Sequence, residues 1–377
     1  MMTNAHTADA LVIGGGIHGC SAALHLSRRG LKVTLLEKDH VARHASGVNA
    51  GGVRRLGRDV AEVPIAQAAW ELWQDMPALV DDDCGYRRSR NIKVARTEDE
   101  LDTARKRVAE LNALGFTHED IIDRDTLREI LPACADHCVG ALHVDGDGSA
   151  LPFNTTQAFR RRAEALGARV VEGAPVTKVV RQSDTWRVTT PAATYEAPLL
   201  INAAGAWGGE LARQLGDEVP LQAHAPMLVI TARMPRFVEA VVGALGGALS
   251  FKQFDNGTVL IGGGVRGTAF PDDNRTRLDM AGVASFLKTA RDVFPIMQGA
   301  RIVRAWAGIE GYTPDNLPVI SRGGEDGVVH AFGFSAHGFQ LAPAVGSIVA
   351  HLALGETPNL PIEPFRVGRF EDAPERV

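Results

Sequence analysis

The chain has 377 residues, a formal net charge of −5, 45% hydrophobic residues and 23% charged residues. This composition is typical of a globular protein and excludes a disordered chain, and the mild acidity gives no reason to expect a nucleic acid as partner. The length predicts about two domains. Glycine, with 40 residues, is the compositional outlier, so the positions of the glycines are informative.

The apolar runs and the cysteines indicate a cytoplasmic protein without a membrane span. No run reaches the roughly 18 apolar residues of a membrane helix, and residues 10–26 lack the basic lead of a signal peptide. Four cysteines in a chain of this length favour free thiols. Cys134, His137 and Cys138 have no second ligand pair at zinc-site spacing, so we predict no metal site.

The first forty residues predict a strand, a helix and a second strand that together bind a dinucleotide. Residues 10–13 are an apolar run typical of a buried parallel strand, residues 20–29 have a helical pattern, and residues 33–36 form the second strand. The intervening residues 14–19 have the sequence GGGIHG, which matches G-x-G-x-x-G.

Each residue type in this motif has a physical task. Gly14 permits the tight turn, Gly16 the close approach of a pyrophosphate, and Gly19 the packing of helix on strand. The helix N-terminus offers unpaired N–H groups to the phosphates. Glu37 closes the second strand, where a carboxylate binds ribose hydroxyls and repels a 2′-phosphate, which disfavours NADP. The motif alone does not separate NAD from FAD.

Three later segments add local predictions. Residues 44–54, HASGVNAGGVR, are small and glycine-rich and suit an extended ligand lying flat on the backbone. Thr97 opens a capping box before a helix that ends at Gly115. Residues 221–231 favour a strand, and the turn DNG at 255–257 predicts a β-hairpin.

Four segments together resemble the FAD-dependent D-amino acid oxidase superfamily, and within it the glycine oxidases and the β subunits of sarcosine oxidases. They are the first 54 residues, LLINAAGAW at 199–207, WAGIEGYTPDNLP at 306–318, and GFSAHGFQ from 333 with Pro343 and Gly346.

The resemblance implies an α/β fold, α+β overall. A Rossmann-type FAD-binding domain with a parallel sheet would comprise residues 1–85, 148–216 and 301–377. A substrate domain built on an antiparallel sheet would comprise residues 86–147 and 217–300.

The resemblance also implies FAD as cofactor. We expect it to be non-covalent, because Gly308 stands where the monomeric sarcosine oxidases carry their flavin-bearing cysteine. The helix at 341–354 would direct its N-terminus to the flavin N1–C2=O edge. The residues expected to bind FAD are Gly14, Gly16, Ile17, His18, Gly19, Glu37, Lys38, His44, Ala45, Ser46, Gly47, Gly51, Gly52, Val176, Ala204, Gly205, Trp207, Gly308, Gly333, Ser335, His337, Gly338, Phe339 and Gln340.

The reaction implied is oxidation of the C–N bond of a small secondary or D-configured amino acid. Its α-hydrogen would pass as hydride to flavin N5, leaving an imine that water hydrolyses. Glycine-oxidase-like members carry an arginine where this chain has Glu310, whereas sarcosine-oxidase-like members use an arginine after the second strand. Arg54 or Arg55 would therefore bind the substrate carboxylate, with a phosphate contact or a surface salt bridge as the alternative. Glu310 would be neutralised by Arg301 or Arg304, or would receive a cationic group of the substrate.

Four further residues are candidates near the flavin. Tyr312 and Gln340 are placed beside the substrate, Gln340 where sarcosine-type enzymes often carry a lysine. His337 either lies over the flavin or beside substrate, or is a packing histidine. Lys252 is the nearest cation that could assist O₂, with a solvated strand lysine as its alternative.

Two other functions stay open. The chain could be the catalytic β subunit of a hetero-oligomeric opine, hydroxyproline or sarcosine dehydrogenase, which passes electrons to a partner instead of O₂. A flavin monooxygenase or NAD(P)H-dependent flavin reductase shares the first motif. Against the latter, the chain has no second G-x-G-x-x-G, because GGG at residues 262–264 lacks the third glycine.

Overall fold

A computed structural model describes residues 5–371 of the chain. The strands are β1 (His6–Thr7), β2 (Ala10–Ile13), β3 (Val33–Leu36), β4 (Gly52–Val53), β5 (Arg87–Ala95), β6 (Asp120–Asp123), β7 (Gly140–Ser149), β8 (Arg169–Val171), β9 (Lys178–Gln182), β10 (Thr185–Thr189), β11 (Thr194–Ala197), β12 (Leu199–Asn202), β13 (Gln222–Thr231), β14 (Val241–Ala244), β15 (Gly247–Gln253), β16 (Val259–Gly262), β17 (Arg266–Phe270), β18 (Arg275–Arg277), β19 (Ile302–Ala307), β20 (Glu310–Tyr312), β21 (Val319–Arg322) and β22 (Val328–Phe332). The α-helices are α1 (Ile17–Arg28), α2 (Ala45–Val48), α3 (Val63–Trp73), α4 (Met76–Val80), α5 (Glu98–Ala113), α6 (Arg124–Ile130), α7 (Pro152–Ala165), α8 (Gly208–Gln214), α9 (Met280–Val293) and α10 (Gly338–Ala353).

A six-stranded sheet with the order β21-β22-β12-β2-β3-β8 contains the N-terminal motif. All its neighbouring strands are parallel except β21, which runs antiparallel to β22. The four residues of β2 and the four of β3 are all buried, because helices such as α1, α7 and α10 pack together over the sheet. The predicted Rossmann-type arrangement is therefore confirmed.

The second sheet is larger, with twelve strands that are mostly antiparallel. Its main path runs β18-β17-β13-β16-β15-β14-β5-β7-β4, with β19 and β20 paired to β13 and β6 paired to β7. The predicted hairpin is present as β15 and β16, and the predicted strand at 221–231 is β13. Helix α9 covers one face, where Phe251 and Phe286 are fully buried.

Helix boundaries follow local capping. Thr97 Oγ1 accepts a hydrogen bond from the N–H of Glu100 at the start of α5, as the capping box predicts. Helix α1 begins at Ile17, three residues earlier than predicted, because Gly16 in an extended conformation is its N-cap. Helix α10 likewise begins at Gly338 instead of residue 341.

A third sheet, with the order β1-β11-β10-β9, is not predicted by the sequence pattern. It packs Trp186, Val188 and Tyr195 against Leu11 and Leu36 of the six-stranded sheet. The strands of the twelve-stranded sheet lie between residues 52 and 312, so β4, β19 and β20 pair across the proposed domain division. The domain boundaries stay a prediction. Within residues 5–371, no helix combines the length and apolar character needed to cross a membrane.

Candidate active site

A cavity of about 640 Å³ lies between the carboxyl end of the six-stranded sheet and one face of the twelve-stranded sheet. One end, which we call the dinucleotide end, is formed by residues 13–18, 36–38 and 203–207. The lining also includes the charged or polar side chains of Arg54, Asn91, Lys93 and Glu310, and we call this part of the lining the charged end. Glu310 lies on β20, which contacts residues 205–207. A volume in this range is typical of sites for small molecules and cofactors.

The glycines at the dinucleotide end are required by close backbone contacts. Gly14 has φ +113°, and a Cβ there would lie 2.3 Å from the carbonyl oxygen of Ala203. A Cβ on Gly19 would lie 1.9 Å from the carbonyl oxygen of Gly14. No side chain fits at either position. The first turn of α1 can therefore pack closely on the preceding turn, which places the helix N-terminus at the cavity, as a pyrophosphate requires.

Two polar side chains complete this end of the cavity. Ser46 Oγ accepts a hydrogen bond of 2.9 Å from the N–H of Ile17 at the start of α1. The carboxylate of Glu37 accepts from the N–H groups of Gly15 at 2.6 Å and Asp39 at 2.8 Å. Burial raises the pKa of Glu37 in spite of these bonds. A carboxylate oxygen has a second lone pair, so Glu37 retains the capacity to accept from a ribose hydroxyl.

Aromatic and imidazole rings flank the cavity. Lys38 Nζ lies 3.4 Å from the centroid of the Trp207 ring, and His44 packs on the same ring. His18 stacks on Phe334 with 3.5 Å between the ring centroids, and neither ring nitrogen of His18 has a hydrogen-bond partner within residues 5–371. Burial lowers the pKa of His18 to about 3, so this imidazole is neutral.

Most of the predicted site residues meet at this cavity. Those that line it are Gly14, Gly16, Ile17, His18, Glu37, Lys38, His44, Ala45, Ser46, Gly51, Gly52, Arg54, Val176, Ala204, Gly205, Trp207, Gly308, Glu310, Gly333, His337, Gly338 and Phe339. Five others do not line it, namely Gly19, Gly47, Tyr312, Ser335 and Gln340.

Each of these five has a structural position next to the cavity wall. Gly19 and Gly47 allow backbone contacts, because a Cβ on either would lie 1.9 Å from a carbonyl oxygen. Ser335 Oγ donates to the carbonyl of Gly333. The ring of Tyr312 lies under the guanidinium of Arg266, 3.8 Å from its carbon.

Gln340 is fully buried and bonded inside the protein. Its carboxamide oxygen accepts from Arg58 Nη2 at 2.9 Å, and its nitrogen donates to the carbonyl of Ala66 at 2.8 Å. The structure thus places Gln340 as a support for Arg58, away from the cavity surface where a substrate contact was predicted.

Arg58 and Glu62, which sequence reasoning missed, form a buried network behind His337. Arg58 lies 3.6 Å from the Glu62 carboxylate and donates to the carbonyl of His337 at 2.9 Å. Glu62 Oε2 is 3.1 Å from His337 Nδ1. Burial acts to raise the pKa of Glu62, but Arg58 and His337 outweigh it and the pKa is lowered. Burial also lowers the pKa of His337, against the opposing effect of Glu62.

The structure distinguishes the two candidate arginines at the charged end. Arg55 is bonded to Asp147 at 3.1 Å and to Gln67, and it does not line the cavity. Arg54 lines the cavity, and the one hydrogen bond of its guanidinium within residues 5–371 is to the carbonyl of Leu56 at 2.7 Å. Burial, and next the charge of Arg58, lowers the pKa of Arg54 to about 10, which leaves it cationic at neutral pH.

Glu310 has a different electrostatic partner from the one predicted. Its Oε1 accepts from the N–H of Ala336 at 2.8 Å, and burial raises its pKa to about 7. The cation that opposes this shift is Arg266. The prediction that Arg301 or Arg304 neutralises Glu310 was wrong, because both arginine side chains are exposed on the outside of the protein.

Lys252 differs from its predicted environment as well. Its side chain is buried, and the ring of Phe254 lies 4.9 Å from its ammonium. Burial lowers its pKa to about 8. The expectation of a solvated strand lysine was therefore wrong, although Lys252 is not among the residues that line the cavity.

Comparisons with known proteins agree with this architecture. Residues 9–352 match the family model DAO, described as FAD dependent oxidoreductase. The chain is 28% identical to the hydrogen cyanide synthase subunit HcnC of Pseudomonas aeruginosa, over 98% of both chains. It is 25% identical to the glycine oxidase of Geobacillus kaustophilus, over 97% of both.

Solved structures give the same result. The crystal structure of glycine oxidase from Geobacillus kaustophilus superposes with a TM-score of 0.87 at 26% identity, over 97% of this chain and 99% of that one. The crystal structure of L-proline dehydrogenase from P. horikoshii superposes with a TM-score of 0.90 at 26% identity, over 98% and 99%.

The geometry of the dinucleotide end fits the cofactor of that family. A bare helix N-terminus, glycines that exclude side chains, and Glu37 beyond the second strand are the groups that a dinucleotide requires. The cavity continues from there to the charged end, with room for a ligand longer than a mononucleotide. The chain belongs to the DAO family of FAD-dependent oxidoreductases.

Proposed function

We propose that this enzyme oxidises the C–N bond of a small secondary or D-configured amino acid to an imine, which water then hydrolyses. The observation that carries the proposal is that a cation, Arg54, and a carboxylate, Glu310, both line the cavity that also contains the dinucleotide end. An α-amino acid presents a carboxylate and an amine, and these two side chains are chemically complementary to them.

Arg54 binds the substrate carboxylate in this proposal. Its guanidinium reaches the cavity and has one protein acceptor among the described residues, the carbonyl of Leu56, so most of its N–H donors are free for a ligand. Charge-assisted hydrogen bonds of this type are among the strongest that proteins make.

Glu310 accepts the proton that the substrate ammonium must lose. Hydride can leave the α-carbon only when the nitrogen lone pair is free to form the C=N bond. A carboxyl with a pKa near 7 is suited to this transfer, because it is a stronger base than an ordinary glutamate and about half of it is ionised at pH 7. The bond from Ala336 N–H fixes one carboxylate oxygen and leaves the other for the amine.

Bound FAD would supply the two-electron acceptor for the hydride. The residues placed to hold its ring system are Gly308, Gly333, His337 and Gly338, which line the cavity between the dinucleotide end and the charged end. His337 is held by Glu62 and Arg58, so its ring keeps one orientation toward the cavity. We expect the FAD to be non-covalent.

A second candidate is supported by the relative HcnC, whose name describes it as a synthase subunit. In that alternative the same C–N oxidation occurs here, and the electrons pass to a partner chain instead of O₂. The electron acceptor and the cytoplasmic location stay predictions.

Anaerobic titration of the FAD-loaded enzyme tests the proposal. Sarcosine, D-proline, hydroxyproline, iminodiacetate, D-arginine and opines are each added while the flavin absorbance is followed. We expect at least one amino acid to bleach the flavin, and its decarboxylated counterpart, for example dimethylamine for sarcosine, to leave it oxidised. Bleaching by NADH but by no amino acid would instead support a flavin reductase or monooxygenase. Peroxide released by the single chain in air would exclude the need for a partner.

A further inference from the structure

Two polar side chains at the charged end have no role in the function proposed above. Asn91 and Lys93 lie two residues apart on β5, so their side chains leave the same face of the strand. Both line the cavity together with Arg54. The polar face of β5 is therefore directed at the ligand site and not at solvent.

Asn91 is 4% exposed, and its side-chain Nδ2 has no hydrogen-bond partner within residues 5–371. A buried donor without an acceptor costs free energy, and native proteins keep few such groups. An acceptor atom on a bound ligand would satisfy this amide.

Lys93 lacks an acidic partner as well. Its ammonium packs against Gly57, and no carboxylate lies within 4 Å of it in the described part of the chain. The acid that acts on it is Glu119. Both oxygens of Glu119 are already taken by Arg107, at 2.7 and 2.9 Å, and one of them also accepts from the N–H of Gly57 at 2.6 Å.

Lys93 lines the cavity, and the neighbouring strand leaves it uncovered. On the neighbouring strand β14, Gly243 stands at the register position of Lys93 and has no side chain to cover it. The cavity wall nearby is apolar, with Val241, Val242 and Leu249. Burial lowers the pKa of Lys93 to about 8, so the ammonium is mostly charged at pH 7.

The charges at this end do not balance. Arg54 and Lys93 are both cationic, and the acids whose charges reach Arg54 are bonded elsewhere: Glu62 to Arg58, Asp147 to Arg55 and Glu119 to Arg107. One substrate carboxylate neutralises one of the two cations. Glu310 is used for the substrate amine in the proposed function, so the other cation, with the free amide of Asn91 beside it, is available to a second anion of the ligand.

We propose that Asn91 and Lys93 form a second anion-binding subsite, and that the substrate is an amine carrying two carboxylates. One carboxylate, on the carbon that is oxidised, binds Arg54, and the other, on the N-substituent or the side chain, binds Asn91 and Lys93. This inference rests on the proposed function, because it takes Arg54 and Glu310 as the sites of the first carboxylate and the amine.

A pair of ligands that cannot be oxidised tests the inference. Thiodiacetate has two carboxylates joined through sulfur, and methylthioacetate has one carboxylate and a methyl group in place of the second. Dissociation constants are measured from the change in flavin absorbance of the FAD-loaded enzyme. We expect thiodiacetate to bind roughly ten- to a hundredfold more tightly.

Substitutions at Lys93 test whether this residue causes the preference for thiodiacetate. Lys93→Met keeps the length of the side chain and removes its charge, and it should bring the two dissociation constants to within about twofold of each other. Lys93→Arg should keep the preference for thiodiacetate. The matched control is Lys106→Met, at an exposed position on α5, which should leave both constants unchanged.

The wild-type enzyme gives an independent measurement if the Lys93 variants lose FAD. The pKa of Lys93 is about 8 and that of Arg54 about 10, so raising the pH from 7 to 9 removes the Lys93 charge first. Thiodiacetate should then lose its advantage while methylthioacetate still binds. The same loss should occur in Glu310→Gln, which removes the other group that titrates over this range.

The outcomes separate the two proposals. If both ligands bind the wild-type enzyme equally, the second subsite is refuted and the amine oxidation proposal stands. If neither ligand binds and no amino acid bleaches the flavin, the proposed function itself is refuted. A preference for thiodiacetate that survives Lys93→Met places the second anion elsewhere and overturns the assignment to Lys93.

Discussion

The two ends of the cavity are built from different chemical groups. At the dinucleotide end the chain offers backbone N–H groups, and the carboxylate of Glu37 is already held by two of them. At the charged end, Arg54, Lys93 and Glu310 project side chains with unused hydrogen-bonding capacity. Backbone geometry is fixed by the local fold, whereas a side chain can be exchanged without moving the chain. The dinucleotide end is therefore suited to a constant cofactor and the charged end to a substrate that differs between relatives.

The largest expected effect tests whether the dinucleotide end depends on the absence of side chains. In an isolated helix Gly→Ala stabilises by about 1 kcal/mol, but in Gly19→Ala the new Cβ would lie 1.9 Å from the carbonyl oxygen of Gly14. We expect the variant to purify without FAD. Gly299→Ala, where no heavy atom lies within 4 Å of the new Cβ, is the control and should keep its flavin. If Gly19→Ala purified with bound FAD, the dinucleotide end would not depend on the absence of a side chain at this position.

The second prediction concerns the buried network of Arg58 and Glu62 behind His337. Glu62→Gln leaves Arg58, which is 1% exposed, without its charge partner. We expect the free energy of unfolding in urea to fall by roughly 3–5 kcal/mol at pH 7. The pKa of Glu62 is lowered on folding, so this stabilisation exists above the pKa of an unfolded glutamate and declines on acidification. Exposed Glu71→Gln on α3 should change stability by less than about 0.5 kcal/mol. Equal losses in both variants would contradict the role of the network.

The third prediction sharpens the role of Glu310 at the charged end. A base with a pKa of about 7 must be deprotonated to act, so the rate of flavin reduction should rise as the pH increases through 7. Glu310→Gln keeps an oxygen for the N–H of Ala336 but cannot accept a proton. We expect it to be slower by roughly a hundredfold and to lose the inflection near pH 7. If the inflection persists in the variant, another group titrates.

The fourth and smallest effect separates substrate binding from cofactor binding. Arg54→Ala should raise the dissociation constant of methylthioacetate roughly ten- to a hundredfold while FAD content stays unchanged. Arg90→Ala, an exposed position on β5, is the control and should bind the ligand normally. Loss of FAD in Arg54→Ala would show that the two ends are not independent.

The dinucleotide end could be predicted from the sequence because its parts are consecutive. The turn at Gly14, the start of α1 and the carboxylate of Glu37 all lie within 24 residues, and each follows from local sterics. The same holds for the capping box at Thr97 and the β15–β16 hairpin. In all of these, residue type, backbone conformation and neighbouring hydrogen bonds are fixed within one short segment.

The charged end could not be predicted in this way, and strand pairing explains why. On β13, His224 pairs with Glu310 of β20 while Pro226 pairs with Arg266 of β17, so one strand brings the carboxylate and its cation together. No local signal favours Arg266 over Arg301 or Arg304.

The position of Lys93 in the cavity could not be predicted from the sequence either. The alternation of polar Asn91 and Lys93 with apolar Ile92 and Val94 predicts a two-faced strand. The sequence therefore determined the dinucleotide end, since it depends on contiguous residues and their backbone sterics. It determined the family and the cofactor through the resemblance of four separate segments. Only the tertiary structure decided which charges face the substrate, because that depends on the register between strands far apart in the chain.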